Sequence, residues 1–170
     1  MQRLRGRDGL FTYYQGSDRV PGKLAPPLLS FPFTLSARLN TSAGADNGVI
    51  FAMGGHQGGL SLFLDGGKPV FAYNWYGRKT SYVRSETSSP RGETTVAIQF
   101  SHTANNRGYK VAMSIDGDAI GSGVFDETSR SLPPEETFDV GADWGSPVVP
   151  DYTNHGQMPA GLIEQVQIHF

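Results

Sequence analysis

Apolar and polar residues alternate along most of this chain in short runs. In residues 33–39, Phe33, Leu35, Ala37 and Leu39 fall on one face, and Thr34, Ser36 and Arg38 on the other. That period of two is the mark of a half-buried strand. Residues 94–101 repeat it with Val96, Ile98 and Phe100 inward, and residues 60–65 alternate as well. Residues 48–53 are apolar on both faces, as a central strand is. Further strand-like runs lie at 11–14, 69–76, 79–85, 109–116, 119–125, 137–142 and 162–170. Turn chemistry separates them: Gly66-Gly67 after residue 65, and Asp116-Gly117-Asp118 between two alternating runs, a hairpin signal. No stretch has a sustained helical period. The acidic segment 125–130 is short and runs into Pro133-Pro134. The pattern predicts about ten strands in one all-β sandwich or barrel over residues 31–170. Residues 1–30, with prolines at 21, 26 and 27, read as a short strand followed by an irregular segment wrapping the domain.

Composition supports this picture and excludes several functions. The chain has 170 residues, 22 of them glycine, and only 18% are charged, which suits a turn-rich β domain better than a helical one. Net charge is −2, so nothing draws in a phosphate backbone, and no nucleic-acid partner is expected. The basic cluster at residues 2–7 reads as a solvated terminus. No apolar run approaches the ~20 residues of a membrane span. No apolar leader opens the sequence, although a secreted or periplasmic parent could have lost one. With no cysteine, disulfides, thiolate zinc sites and a cysteine nucleophile are excluded. Asn40-Thr41-Ser42 is a glycosylation sequon, informative only in a eukaryotic secretory context.

The stretch 54–59, Gly-Gly-His-Gln-Gly-Gly, invites three readings: a phosphate cradle, a metal site on His56, or a bend. A phosphate loop needs a lysine and a hydroxyl residue opening a helix, whereas residues 60–62 open a strand. Four widely spaced histidines form no zinc pattern. A tight hairpin, with His56 at its tip, is therefore expected. Aromatics gather nearby. Alternation in 69–76 sets Phe71, Tyr73 and Trp75 on one face and Val70, Ala72, Asn74 and Tyr76 on the other. The first set is larger and more apolar and is expected inward, leaving Asn74 and Tyr76, with Tyr82 on the neighbouring strand, as candidates for a carbohydrate ligand or a partner domain. His56 joins them as a tip residue. Asp143, Ser146, Asp151, Tyr152 and Asn154 form an oxygen-rich loop. Asp143 and Asp151 are candidate calcium ligands, turn capping being the structural alternative.

Several of these segments resemble the C-terminal domain of bacterial arylsulfatase-like proteins. The resemblance rests on the glycine-pair hairpin with its following strand and Asp-Gly turn, Tyr73-Asn74-Trp75-Tyr76-Gly77, the late loop 140–152 (VGADWGSPVVPDY), the opening 11–27 and the closing 161–170. It spans the chain from about residue 11 to the end. It implies an antiparallel jelly-roll β-sandwich related to concanavalin A-like lectins and glucanases. It also implies an accessory role: packing on a sulfatase catalytic domain or partner protein, with help in presenting a sulfated substrate. The catalytic part of a sulfatase is not legible here. The nearest serine candidate for a formylglycine, in Ser88-Ser89-Pro90-Arg91-Gly92, has glycine where that motif requires arginine. Paired glycosidase carboxylates are missing too: Glu135 and Glu136 are adjacent, Glu164 stands alone, and no nucleophile elbow occurs. The chain is therefore expected to be non-catalytic. A stand-alone carbohydrate-binding module is the second reading, and a jelly-roll glycosidase or lyase with an unfamiliar site the third.

Overall fold

The computed structural model describes residues 9–42, 44–129 and 137–170. The Glu135-Glu136 pair, Pro133-Pro134 and the basic N-terminal cluster lie outside the described residues. Among the described residues twelve strands form two six-stranded antiparallel sheets: β1 (Leu10–Tyr13), β2 (Val20–Pro21), β3 (Phe33–Asn40), β4 (Gly48–Gly55), β5 (Gly58–Asp65), β6 (Lys68–Trp75), β7 (Lys79–Arg84), β8 (Glu93–His102), β9 (Tyr109–Ile115), β10 (Asp118–Phe125), β11 (Thr137–Val140) and β12 (Ile163–His169). One sheet runs β1-β12-β3-β8-β9-β10 and the other β2-β11-β4-β5-β6-β7. The runs read from alternation reappear with boundaries moved by a residue or two. The exception is β2, only two residues long, too short to leave a pattern.

The N-terminal segment contributes an edge strand to each sheet, β1 beside β12 and β2 beside β11. Between the sheets lies the core. Leu35, Ala37, Val96, Ile98 and Phe100 face it from one side, and Phe51, Leu60, Leu62, Phe71 and Tyr73 from the other. Aromatic rings fill the middle: Phe71 stacks on Phe125, Phe33 on Phe100, and Tyr73 meets Tyr109 edge-on. Phe71 and Tyr73 point inward as alternation predicts. Trp75 packs partly buried against the same core, and its indole N–H donates to the Thr128 carbonyl at 3.1 Å.

The glycine stretch is a bend. His56 and Gln57 are the two-residue connection between β4 and β5, and both are exposed. Gly54 has φ of 100°, and a Cβ there would sit 2.2 Å from the Gly58 carbonyl oxygen. Gly59 has its own reason to be bare, since a Cβ would come within 2.4 Å of the Met53 oxygen. The strands approach too closely at this end for side chains.

Candidate functional site

The outer face of the β2–β7 sheet is apolar as well: Val49, Ala52, Phe63, Val70 and Ala72 point away from the main core. Such a face cannot stay bare in water without cost. Residues 141–158 cover it. Backbone bonds close the ends of this Ω-shaped segment, from the Met158 N–H to the Gly141 carbonyl and from the Asp143 N–H to the His155 carbonyl, both at 2.8 Å. Val148, Val149 and Tyr152 then pack onto the outer apolar residues, forming a second, smaller core.

Buried polar groups lock the segment in place. Asp143 is fully buried, and its Oδ2 accepts hydrogen bonds from the Val148 N–H at 2.8 Å and the Tyr152 hydroxyl at 2.5 Å. Ser61 Oγ lies 3.3 Å from that hydroxyl. Burial, with the Asp143 charge beside it, pushes the Tyr152 hydroxyl well above the ordinary tyrosine range. At the hairpin end the His56 N–H donates to Ser146 Oγ at 3.1 Å.

Asn74, expected to be open to a ligand or partner, sits under the same segment. It lies on the face alternation assigns, but that face is covered, and Asn74 is only 5% exposed. Its amide group donates to the carbonyls of Gly55, His56 and Val148 and accepts from the Gly77 N–H. With these bonds it ties the β4–β5 hairpin, the turn after β6 and the covering segment together. Tyr76 departs from expectation differently. The strand ends at Trp75, and Tyr76 turns off it with φ of 50°. It is 46% exposed, and its hydroxyl is bonded to Ser129 Oγ at 2.9 Å.

The two calcium candidates have other partners. Asp143 is the buried anchor of the covering segment. Asp151 accepts from the Tyr82 hydroxyl at 2.7 Å and pairs with Arg84 at 2.7 Å. Among the described residues no group of three or more His, Asp or Glu side chains could hold a metal. One of these carboxylates is thus enclosed beneath the covering segment and the other is engaged at its edge.

Asp151 instead completes a polar rim. Arg84 reaches Asp151 and, at 3.5 Å, Asp65, while its guanidinium lies 4.4 Å from the Tyr82 ring centroid. Burial, helped by the bond to Asp151, pushes the Tyr82 hydroxyl up to about 12. Beside the rim opens a hollow of about 360 Å³, whose lining includes Asn47, Asp65, Asp151, Tyr152, Asn154 and Gln157. Its polar groups are carboxylates, amides and hydroxyls, the set that hydrogen-bonds a polyhydroxylated ligand. Of the sequence candidates, Tyr82 and Asp151 come together here, while His56 and Tyr76 lie elsewhere. Arg84, Asp65 and Asn47 had no signal of their own. Arg84 sits two residues from Tyr82 on β7 and so shares its face, a relation visible in the alternation but uninformative without Asp151 above it.

No family model and no curated protein matches the sequence. Solved structures do match in shape. The CBM40 of the Ruminococcus gnavus IT-sialidase aligns with a TM-score of 0.58 at 14% identity over 99% of this chain and 90% of that one. The Caenorhabditis elegans galectin LEC-6 gives 0.54 at 11% identity, over 94% and 96%. Mouse laminin α1 domains LG4-5 give 0.52 at 15% identity over 99% of this chain, which spans only 40% of that structure. These likenesses identify the fold as the antiparallel jelly-roll sandwich of concanavalin A-like, lectin-type domains. They lend no support to the arylsulfatase resemblance.

Proposed function

We propose that this chain is a non-catalytic carbohydrate-binding module whose ligand enters the hollow beside Tyr82, Arg84 and Asp151. The observation carrying this reading is the composition of that hollow: hydrogen-bonding side chains already oriented by ion pairs and backbone bonds, beside a tyrosine ring, on a sandwich of lectin type. Arg84 holds Asp151 and Asp65 in fixed positions, leaving their remaining lone pairs to accept sugar hydroxyls. Asn47 Oδ1 is held by the Gly66 N–H at 3.0 Å, which turns its amide group toward a defined direction. Two carboxylates against one guanidinium give the hollow a negative balance. That favours a neutral sugar over a sulfated or carboxylated one at this position.

The test is isothermal titration of the purified chain against neutral mono- and oligosaccharides. Arg84→Gln and Asp151→Asn should each weaken binding about tenfold, in line with the loss of one charge-assisted contact. If no neutral sugar binds, or both variants bind like the parent, the site is misassigned.

A second reading has its own observation. The outer face of the β1–β10 sheet carries short or polar side chains; Thr34, Gln99, Ala112 and Ser122 run across neighbouring strands in one row and are all exposed. Val124, 60% exposed, lies near the end of β10 at the edge of that sheet. This open face is where an accessory domain would rest on a sulfatase-like catalytic domain or other partner. Co-purification with such a partner, lost on Val124→Lys and Ala112→Lys together, is the expected result; retention would remove the reading.

A further inference from the structure

Residues 127–129, just beyond β10, lie against the β6–β7 hairpin and the start of β9, and side chains from those strands hold each of the three in turn. Lys79, the first residue of β7, donates to Glu127 Oε1 at 2.6 Å. The Trp75 indole N–H donates to the Thr128 carbonyl at 3.1 Å. The buried Tyr109 hydroxyl donates to the Ser129 carbonyl and accepts from the Ser129 N–H at 3.1 Å. Ser129 Oγ donates to the Tyr76 hydroxyl at 2.9 Å. Among the described residues no backbone-to-backbone bond reaches Glu127 or Thr128. A carboxylate, a carbonyl, a backbone N–H with its C=O, and a hydroxyl are thus each matched by a different side chain of complementary chemistry.

One of those side chains is held at a cost. Tyr76 has φ of 50°, a left-handed backbone that a bulky residue adopts only under constraint, and it is 46% exposed. Burial of its ring does not explain the strain. Its edge-on contact with Trp75 and its bond to Ser129 are what that conformation secures.

The fit of residues 127–129 is incomplete. The Tyr73 hydroxyl, on a residue with no exposed surface, has no hydrogen-bond partner among the described residues, and neither has the buried Oε2 of Glu127. Burial, with Tyr109, Tyr76 and Glu127 beside it, pushes the Tyr73 hydroxyl well above the ordinary tyrosine range. An enclosed donor and an enclosed acceptor left unpaired weaken the closed arrangement and favour its local opening.

From this arrangement we infer that Trp75, Tyr76, Lys79 and Tyr109 form a groove for an extended acidic peptide of a partner protein, filled in this chain by its own Glu127-Thr128-Ser129. The partner segment carries a carboxylate two residues before a hydroxyl, as the resident segment does. Lys79 takes the carboxylate, Trp75 and Tyr109 take the backbone, and Tyr76 takes the hydroxyl. The resident segment competes for the groove, so it acts as an intramolecular inhibitor, and its incomplete fit makes it displaceable. The groove shares no residue with the hollow proposed for sugars, and the inference does not depend on that reading.

The experiment is an NMR titration of the full, isotope-labelled chain with the end-blocked peptide Asp-Glu-Thr-Ser, following the Trp75 indole N–H and the exchange rate of the Ser129 amide. Glu127→Gln weakens the resident segment and leaves the groove intact. It should raise the apparent affinity for the peptide about tenfold, since the open fraction scales the observed constant. The peptide Asp-Gln-Thr-Ser should bind that variant more weakly, because it offers Lys79 no charge. Adding Tyr76→Phe to Glu127→Gln removes the exposed hydroxyl alone and should weaken binding severalfold. Tyr73→Phe removes the unpaired donor and should slow exchange of the Ser129 amide. The inference is overturned if the peptide leaves the Trp75 signal unmoved in both parent and Glu127→Gln, if it binds the two equally, if the scrambled peptide Thr-Asp-Ser-Glu binds as well, or if Tyr76→Phe has no effect. Unchanged or faster exchange in Tyr73→Phe would show that the resident segment is a fixed part of the fold, and would overturn the inference as well.

Discussion

The Tyr152 hydroxyl donates to the buried carboxylate of Asp143 at 2.5 Å, inside a segment that has no regular strand of its own. This bond sits where the covering segment folds back on itself, so it bears on every residue that segment places. Tyr152→Phe keeps the edge-on contact with Phe63 but removes one of the donors to a buried charge. A loss of about 1–3 kcal/mol is expected in denaturant unfolding, the cost of under-satisfying such a group. A variant as stable as the parent would show that the segment is held by its apolar contacts alone.

The same tyrosines set an alkaline limit. Tyr82 is raised to about 12 and Tyr152 is raised further, while an unfolded tyrosine titrates near 10. Above about pH 10 the unfolded chain releases these protons and the folded chain retains them, so fewer protons are bound in the unfolded state and stability falls as pH rises. Below that pH their contribution is fully present. Melting temperatures should hold steady from neutral pH to about 9 and then decline, and the decline should be shallower in Tyr152→Phe. An equal slope in the variant would place its cause in other groups.

Asn74 should prove structural. Asn74→Asp keeps the shape but removes the donors to the Gly55, His56 and Val148 carbonyls. It is expected to cost about 2–4 kcal/mol, as breaking a buried polar network does. The readout is chemical denaturation; a change within experimental error would mean the covering segment does not depend on this bolt.

Neighbours on the aromatic stretch should separate cleanly. Trp75→Ala removes core packing and the bond to Thr128 and should destabilise by about 3 kcal/mol. Tyr76→Ala, at an exposed turn, should change stability by less than about 1 kcal/mol. Thermal melts of both decide the matter, and a reversed order would mean that the core lies on the other side of this stretch.

At the β4–β5 hairpin, Gly54→Ala places a Cβ on the Gly58 carbonyl and should cost about 2–4 kcal/mol. His56→Ala, one turn away and exposed, should cost almost nothing. Equal effects would show that His56 has a partner beyond its backbone bond to Ser146.

Much of the sandwich was legible before any coordinates. Period-two alternation is a local property, and it assigned Phe71 and Tyr73 to the core because each residue's face follows from its neighbours' spacing. The Asp116-Gly117 turn and the glycine hairpin were legible for the same reason: positive φ and close backbone approach select glycine and its few substitutes locally. The jelly-roll sandwich that the resemblance to the arylsulfatase C-terminal domain implied agrees with the fold that was found, whereas the arylsulfatase link itself gained no support. What alternation could not reveal is what lies over the outer face of a sheet. Val49 lies in the run read as a central strand and Val70 on the face opposite Phe71 and Tyr73, yet nothing in their spacing says that residues 141–158 cover them. That covering buried Asn74, enclosed Asp143 and brought Asp151 onto Tyr82 and Arg84, which lie 69 and 67 positions away in sequence. Sequence determined which residues alternate and where the chain turns, because those depend on neighbours a few positions apart. Only the tertiary structure decided which polar groups are buried bolts and which line a hollow, because burial depends on segments that meet only after the sheets have formed.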